Sequence, residues 1–219
     1  MSPAFDPKQA MGFVLAGGQS SRMGQDKALV RLGGLTFVER AVSTLRAAGL
    51  VVAVAGTQSV LDVDVPAIHD ASPDQGPLSG ICTALSQTNA EWSVFLPVDM
   101  PFVPPSLLDS MLRSAMSTDR EVTLVSMSGF RQTFPAVLNR AVLPSLTNSL
   151  QSGTRGCFRA FEAAAARLGG RMALLPVEML AVAGQVADRE GSPAARWLVN
   201  INTPADLEDA GSFLSGRFA

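Results

Sequence analysis

MGFVLAGGQSSRMGQDK, residues 11–27, is the stretch whose reading decides the fold. Met11 to Leu15 is a short apolar run of strand length that breaks at Ala16-Gly17-Gly18. Beyond the loop, Leu35 to Ala48 repeats apolar residues at Val38, Ala41, Val42, Leu45 and Ala48, which is helical spacing. Thr36 and Glu39 stand three apart at its start and form a capping box. Strand, glycine turn and helix in that order open a βαβ unit.

The same alternation continues along the chain. Val51–Ala55 reads as a second strand and Ala67–His69 as a short third, and Leu78, Ile81, Cys82 and Leu85 share a helix face. Trp92–Val98 reads as a buried strand. Pro104-Pro105-Ser106 opens a helix with Leu108, Met111, Leu112 and Ala115 inward. Strands follow at 122–127, 133–138 and 172–177, and helices at 141–150 and 157–168. Trp197–Ile201 reads as a last strand. Thr203, Pro204 and Asp206 then start a helix whose Leu207, Ala210 and Leu214 pack inward. The pattern predicts one α/β domain over residues 1–219.

Composition narrows the chemistry. Of 219 residues, 47% are hydrophobic, which supplies a core, and the net charge of −2 argues against a broad nucleic-acid surface. No apolar run reaches the ~18–20 residues of a membrane span, and no basic-then-apolar leader opens the chain, so the expected location is cytoplasmic. One histidine, His69, rules out Ser-His-Asp and multi-histidine metal schemes. Two cysteines, Cys82 and Cys157, have no metal-ligand spacing and make no disulfide framework.

In open α/β sheets ligands bind beyond the carboxyl ends of the strands. Four such exits carry glycine or polar residues: Ala16-Gly17-Gly18, Asp70, Asp99, and Asn200 with Asn202. The first joins glycines, whose N–H groups can approach an anion closely, to Arg22 and Lys27. That is chemistry for a polyphosphate. Gly24 and Lys27 are not adjacent, so this is no Walker A loop, and Gly17-Gly18 followed by Gly24 is no dinucleotide fingerprint. Asp99 suits either a magnesium ligand or a turn residue before Met100-Pro101. Asp70 reads locally as part of a turn. Asn200 and Asn202, two apart, would share one strand face and serve a substrate or metal shell, or bond the backbone before the helix cap.

At these residues the sequence resembles the molybdenum cofactor guanylyltransferases, the MobA family. The matching segments are LAGGQSSRMGQDK at 15–27, GPLSG at 76–80, LPVDMP at 96–101 and NINTP at 200–204. The resemblance implies a three-layer Rossmann-like nucleotidyltransferase fold with a central, mainly parallel mixed sheet. It implies a nucleotide-binding half of about 11–115 and an acceptor-binding half of about 116–219. GTP would be the donor, Mg²⁺ the metal, and the phosphate of molybdenum-molybdopterin cofactor the acceptor, with delivery or target molybdoenzymes as protein partners. Carried over by position, Leu15, Ala16, Gly17 and Gly18 form the GTP-binding loop, with Arg22 and Lys27 as its cations. Asp70 becomes a nucleotide-binding acid and Asp99 the Mg²⁺ ligand, so that Lys27, Arg22 and Asp99 are the catalytic set. Gly76, Pro77, Leu78 and Gly80 line the base pocket, and Asn200 and Asn202 stand near acceptor and metal.

One departure stands out. Some members place an asparagine at the end of the second strand, and Val51–Thr57 contains none. The competing readings are a molybdopterin cytidylyltransferase or a sugar-phosphate nucleotidyltransferase, both of which usually read LAAG at the first loop, and a nucleotide-binding partner protein without turnover.

Overall fold

The computed structural model describes residues 5–6, 8–16, 26–56, 63–69, 76–154, 156–170 and 172–216. In chain order the elements are β1 (Ala10–Leu15), β2 (Arg31–Leu32), β3 (Leu35–Thr36), α1 (Phe37–Ala47), β4 (Val51–Ala55), β5 (Ala67–Ile68), α2 (Pro77–Gln87), β6 (Trp92–Pro97) and α3 (Pro105–Thr118). They continue with β7 (Val122–Met127), β8 (Phe130–Asn139), α4 (Leu143–Gln151), α5 (Cys157–Arg167), β9 (Ala173–Pro176), α6 (Val177–Val182), α7 (Ala194–Trp197) and α8 (Pro204–Leu214).

Among the described residues, seven strands form one sheet in the order β5-β4-β1-β6-β8-β7-β9, and β2 and β3 make a separate hairpin. Only β8 runs against the others, pairing antiparallel with β6 and β7. Helices cover both faces. Core residues of α1, α3, α6, α7 and α8 gather on one face, and those of α2, α4 and α5 on the other. This is the three-layer, mainly parallel mixed sheet that the resemblance implied.

Burial on both faces explains why β1 and β6 are almost uninterrupted apolar runs. Phe13 and Leu15 enter the α2 side, while Ala10 and Val14 enter the α1 side. Gly12 sits between, where an added Cβ would lie 3.0 Å from Leu45 Cδ2. The missing side chain lets α1 lie close on the central strand. The Thr36–Glu39 capping box that starts α1 is present: the Glu39 carboxylate accepts from Thr36 N at 2.6 Å, and Glu39 N donates back to Thr36 Oγ at 3.2 Å.

The chain moves outward from β1 through α1 to β4 and β5, then crosses the other face by α2 to reach β6 on the opposite side of β1. The order of winding therefore changes direction between β1 and β6, and the carboxyl edge at such a point is where open α/β sheets bind ligands.

One expected element differs. Residues 197–201 are not a strand; α7 ends at Trp197, and Val199 N donates to Arg196 O at 3.2 Å. Both sides of β6 are already paired, with β1 and β8, so the apolar run Trp197-Leu198-Val199 finds no free edge there. A backbone bond from Ile201 N to Asp99 O, 2.9 Å, ties the segment to the turn after β6 instead. Asn200 and Asn202 consequently do not share a strand face. The 141–150 helix begins as a single 3-10 turn, Arg140–Val142, capped by Asn139.

Candidate active site

Three segments meet at the crevice between β1 and β6. The first returns from the glycine loop as a 3-10 turn, Lys27–Leu29, whose start is held by the Asp26 carboxylate accepting from Ala28 N at 2.9 Å. Ala28, in the middle of the turn, and Val30, just after it, are buried, which fixes its backbone. The second is the exit of β6. Val98 N donates to Leu15 O at 3.1 Å, extending the β1–β6 register, and buried Val98 and Met100 flank Asp99. The third is the stretch between α7 and α8. It is fixed by the Trp197 indole N–H donating to Ser192 O at 2.8 Å, by the Arg196–Asp209 ion pair and by buried Ile201.

These segments bring three side chains together. The Lys27 ammonium donates to Asp99 Oδ2 at 2.7 Å and to Asn202 Oδ1 at 2.7 Å. The Lys27 and Asp99 side chains are only 14% and 19% exposed, so their charges meet in a partly water-excluded setting. Residues 72 and 175 positions apart are thus in direct contact with one cation.

Asn202 is held from behind. Asp206 Oδ2 accepts from Asn202 N at 2.9 Å and from Thr203 N at 2.8 Å, while Asp206 N donates to Thr203 Oγ at 3.2 Å. The Asn202 N–H, then the Thr203 hydroxyl and N–H, and finally the Lys27 charge hold the Asp206 carboxyl below its ordinary range.

The oxygens around Lys27 suit a second kind of cation. A carboxylate and a neutral amide oxygen are hard donors, and Mg²⁺ takes one or two protein oxygens together with substrate phosphates and water. Among the described residues no group of three or more His, Cys, Asp or Glu side chains gathers as an all-protein metal cage. The Asp99 carboxylate and the Asn202 amide oxygen fit a divalent metal that would also take phosphate oxygens.

Of the other residues singled out in the sequence, Leu15 and Ala16 are buried at the end of β1, where Ala16 N donates to Ala55 O at 3.0 Å. What they offer the crevice is backbone. Gly76 caps α2 with φ +77° and ψ −176°, a conformation reserved for glycine. Pro77 is exposed, and the Leu78 side chain is wholly buried in the core beneath it. At Gly80 an added Cβ would lie 3.6 Å from Gly56 Cα, so the first turn of α2 lies against the exit of β4. Asn200 is exposed and takes no part in the Lys27 cluster. Gly17, Gly18, Arg22 and Asp70 lie outside the described residues. The role of Asp206 went unread in the sequence, where its fit to the helix start explained it fully; only the fold shows its second bond.

A family model described as the MobA-like NTP transferase domain matches residues 12–167. The chain belongs to the MobA-like NTP transferase family. The molybdenum cofactor guanylyltransferase of Aliivibrio fischeri is 28% identical over 214 residues, covering 95% of this chain and 98% of the relative. That of Vibrio cholerae is 31% identical over 157 residues, covering 70% and 77%. Among solved structures, molybdopterin-guanine dinucleotide biosynthesis protein A from Archaeoglobus fulgidus superposes with a TM-score of 0.73 at 22% identity, covering 94% of this chain and 99% of that one. A 2-C-methyl-D-erythritol 4-phosphate cytidylyltransferase from Thermus thermophilus superposes with a TM-score of 0.65 at 16% identity, covering 94% and 99%. The fold is thus shared with a protein named as a cytidylyltransferase as well as with one named for guanine dinucleotide biosynthesis.

Proposed function

We propose that this chain transfers the GMP moiety of GTP to the terminal phosphate of molybdenum-molybdopterin cofactor in the cytoplasm, releasing pyrophosphate. The observation that carries the reading is the meeting of Lys27, Asp99 and Asn202, one residue from each of three separate motifs, at the β1/β6 crevice. The near full-length likeness to curated guanylyltransferases supports guanine over cytosine as the base.

The acceptor is already a phosphate anion, so the reaction needs no enzyme nucleophile; its barrier is charge repulsion and alignment. The backbone at Leu15, Ala16, Gly17 and Gly18 receives the nucleotide, and Gly76, Pro77, Leu78 and Gly80 present main-chain groups to the base. Asp70 adds a nucleotide contact. Asp99 and the Asn202 amide oxygen would hold Mg²⁺, which would supply Lewis-acid neutralisation of the phosphates. The Lys27 ammonium, held at Asp99 and Asn202, would meet the phosphate oxygens of the bound nucleotide. With Arg22, it then stabilises charge growing on the pyrophosphate leaving group. Asn202 would face the acceptor, with the half from about 116 to 219 binding the acceptor and 11–115 the nucleotide. A molybdoenzyme or delivery protein would take up the product.

The test is pyrophosphate release with Mg²⁺, molybdenum-loaded molybdopterin and each of GTP, CTP, UTP and ATP. GTP is expected to be preferred, because a wrong base leaves buried polar groups unpaired. Equal or better turnover with CTP would overturn the guanylyl assignment.

A further inference from the structure

We infer that Asp206 is a positioning residue for the transfer reaction, acting by holding the Asn202 backbone so that its side-chain oxygen meets Lys27. The inference rests on the reading of Lys27, Asp99 and Asn202 as the reacting site. An aspartate at this point of a helix start has an ordinary task, to return a bond to the cap residue, and Asp206 performs it toward Thr203 N. The same oxygen, Oδ2, also accepts from Asn202 N, one residue outside that box. This second bond fixes the Ile201–Asn202 peptide, one unit before the peptide that leads into the cap. Asn202 is exposed and lies in no strand or helix, so little else orients it. The neighbouring tether is Ile201, buried and bonded to Asp99 O at 2.9 Å. Asp206 and Asp99 therefore grip successive peptides, and between them the Asn202 amide is aimed across the crevice at a lysine 175 positions away.

Four variants separate positioning from helix capping. Thr203→Ala removes the acceptor for Asp206 N but leaves both bonds to Asp206 Oδ2. Asp206→Ala removes both of those bonds, and Asp206→Asn keeps an oxygen able to accept them. Asn202→Ala removes the group being aimed. Melting temperature, GTP affinity and single-turnover transfer at saturating GTP are measured for each, and for the Asn202→Ala/Asp206→Ala double variant. We expect Asp206→Ala to slow transfer about tenfold, the scale of one hydrogen bond to a charged group. GTP affinity should stay near wild type, Asp206→Asn should restore most of the rate, and Thr203→Ala should lower the melting temperature without slowing transfer. The double variant should be no slower than Asn202→Ala. If Asp206→Ala merely matches Thr203→Ala, or if its effect multiplies with that of Asn202→Ala, positioning is overturned while the site stands. Wild-type transfer by Asn202→Ala would overturn the site reading, and this inference with it.

Discussion

Replacing Lys27 with Met keeps an unbranched apolar stem and removes the ammonium. In the unliganded protein this leaves the Asp99 carboxylate, 19% exposed, without the cation 2.7 Å away. Exposed ion pairs contribute ~0–1 kcal/mol, while breaking a buried one costs ~3–5 kcal/mol. Side chains exposed to this small degree fall between, so a loss of about 1–2 kcal/mol is expected. For a domain of this size that lowers the melting temperature by roughly 2–8 °C. The kinetic effect is larger. In the transition state Lys27 would meet developing charge on the leaving pyrophosphate, and a hydrogen bond to a charged group contributes ~1.5–3 kcal/mol. Turnover at saturating GTP and Mg²⁺ should then fall roughly 10- to 150-fold. GTP affinity should weaken less, because the charge grows after binding. Stopped-flow pyrophosphate release together with thermal melting measures both. A lowered melting temperature with unchanged turnover would refute the reasoning, since Lys27 would then be a structural ion-pair partner only.

Asp99→Ala should cut turnover at least ~100-fold and leave the circular dichroism spectrum intact, because the strand before Asp99 is held by apolar packing; near-wild-type rates would remove Asp99 from the metal site. Asn202→Ala should slow acceptor use more than Asn200→Ala does, since Asn202 reaches Lys27 and Asn200 stays outside the cluster, and steady-state kinetics with varied acceptor would show the reverse order if the geometry misleads. Burial, aided by the neighbouring Cys82, pushes the Cys157 thiol up to about 12. It should therefore resist iodoacetamide in the folded protein at pH 8 and react on unfolding; rapid native labelling, read by mass spectrometry, would contradict this.

Much of the fold was legible because burial on both faces writes itself into β1, β4 and β6 as apolar runs, and because Thr36–Glu39 and Thr203–Asp206 announce helix starts. The failure at 197–201 has a physical cause. Trp197-Leu198-Val199 has strand composition, but composition does not reveal that β1 and β8 already occupy both sides of β6. Lys27 and Asp99 were legible as residues at strand exits. Their contact with each other and with Asn202 was not, because it depends on three loops being fixed by distant packing. The second bond of Asp206 was hidden for the opposite reason: its local task as a capping residue explained it completely.

The central claim is tested most directly by following the two ends of GTP separately. With GTP labelled at the α-phosphate, Mg²⁺ and molybdenum-loaded molybdopterin, the label should move to the pterin phosphate and appear in the dinucleotide product. Label at the γ-phosphate should leave as pyrophosphate, and neither should move when acceptor is omitted. Release of the α-label as free GMP, or transfer from CTP equal to that from GTP, would contradict the account.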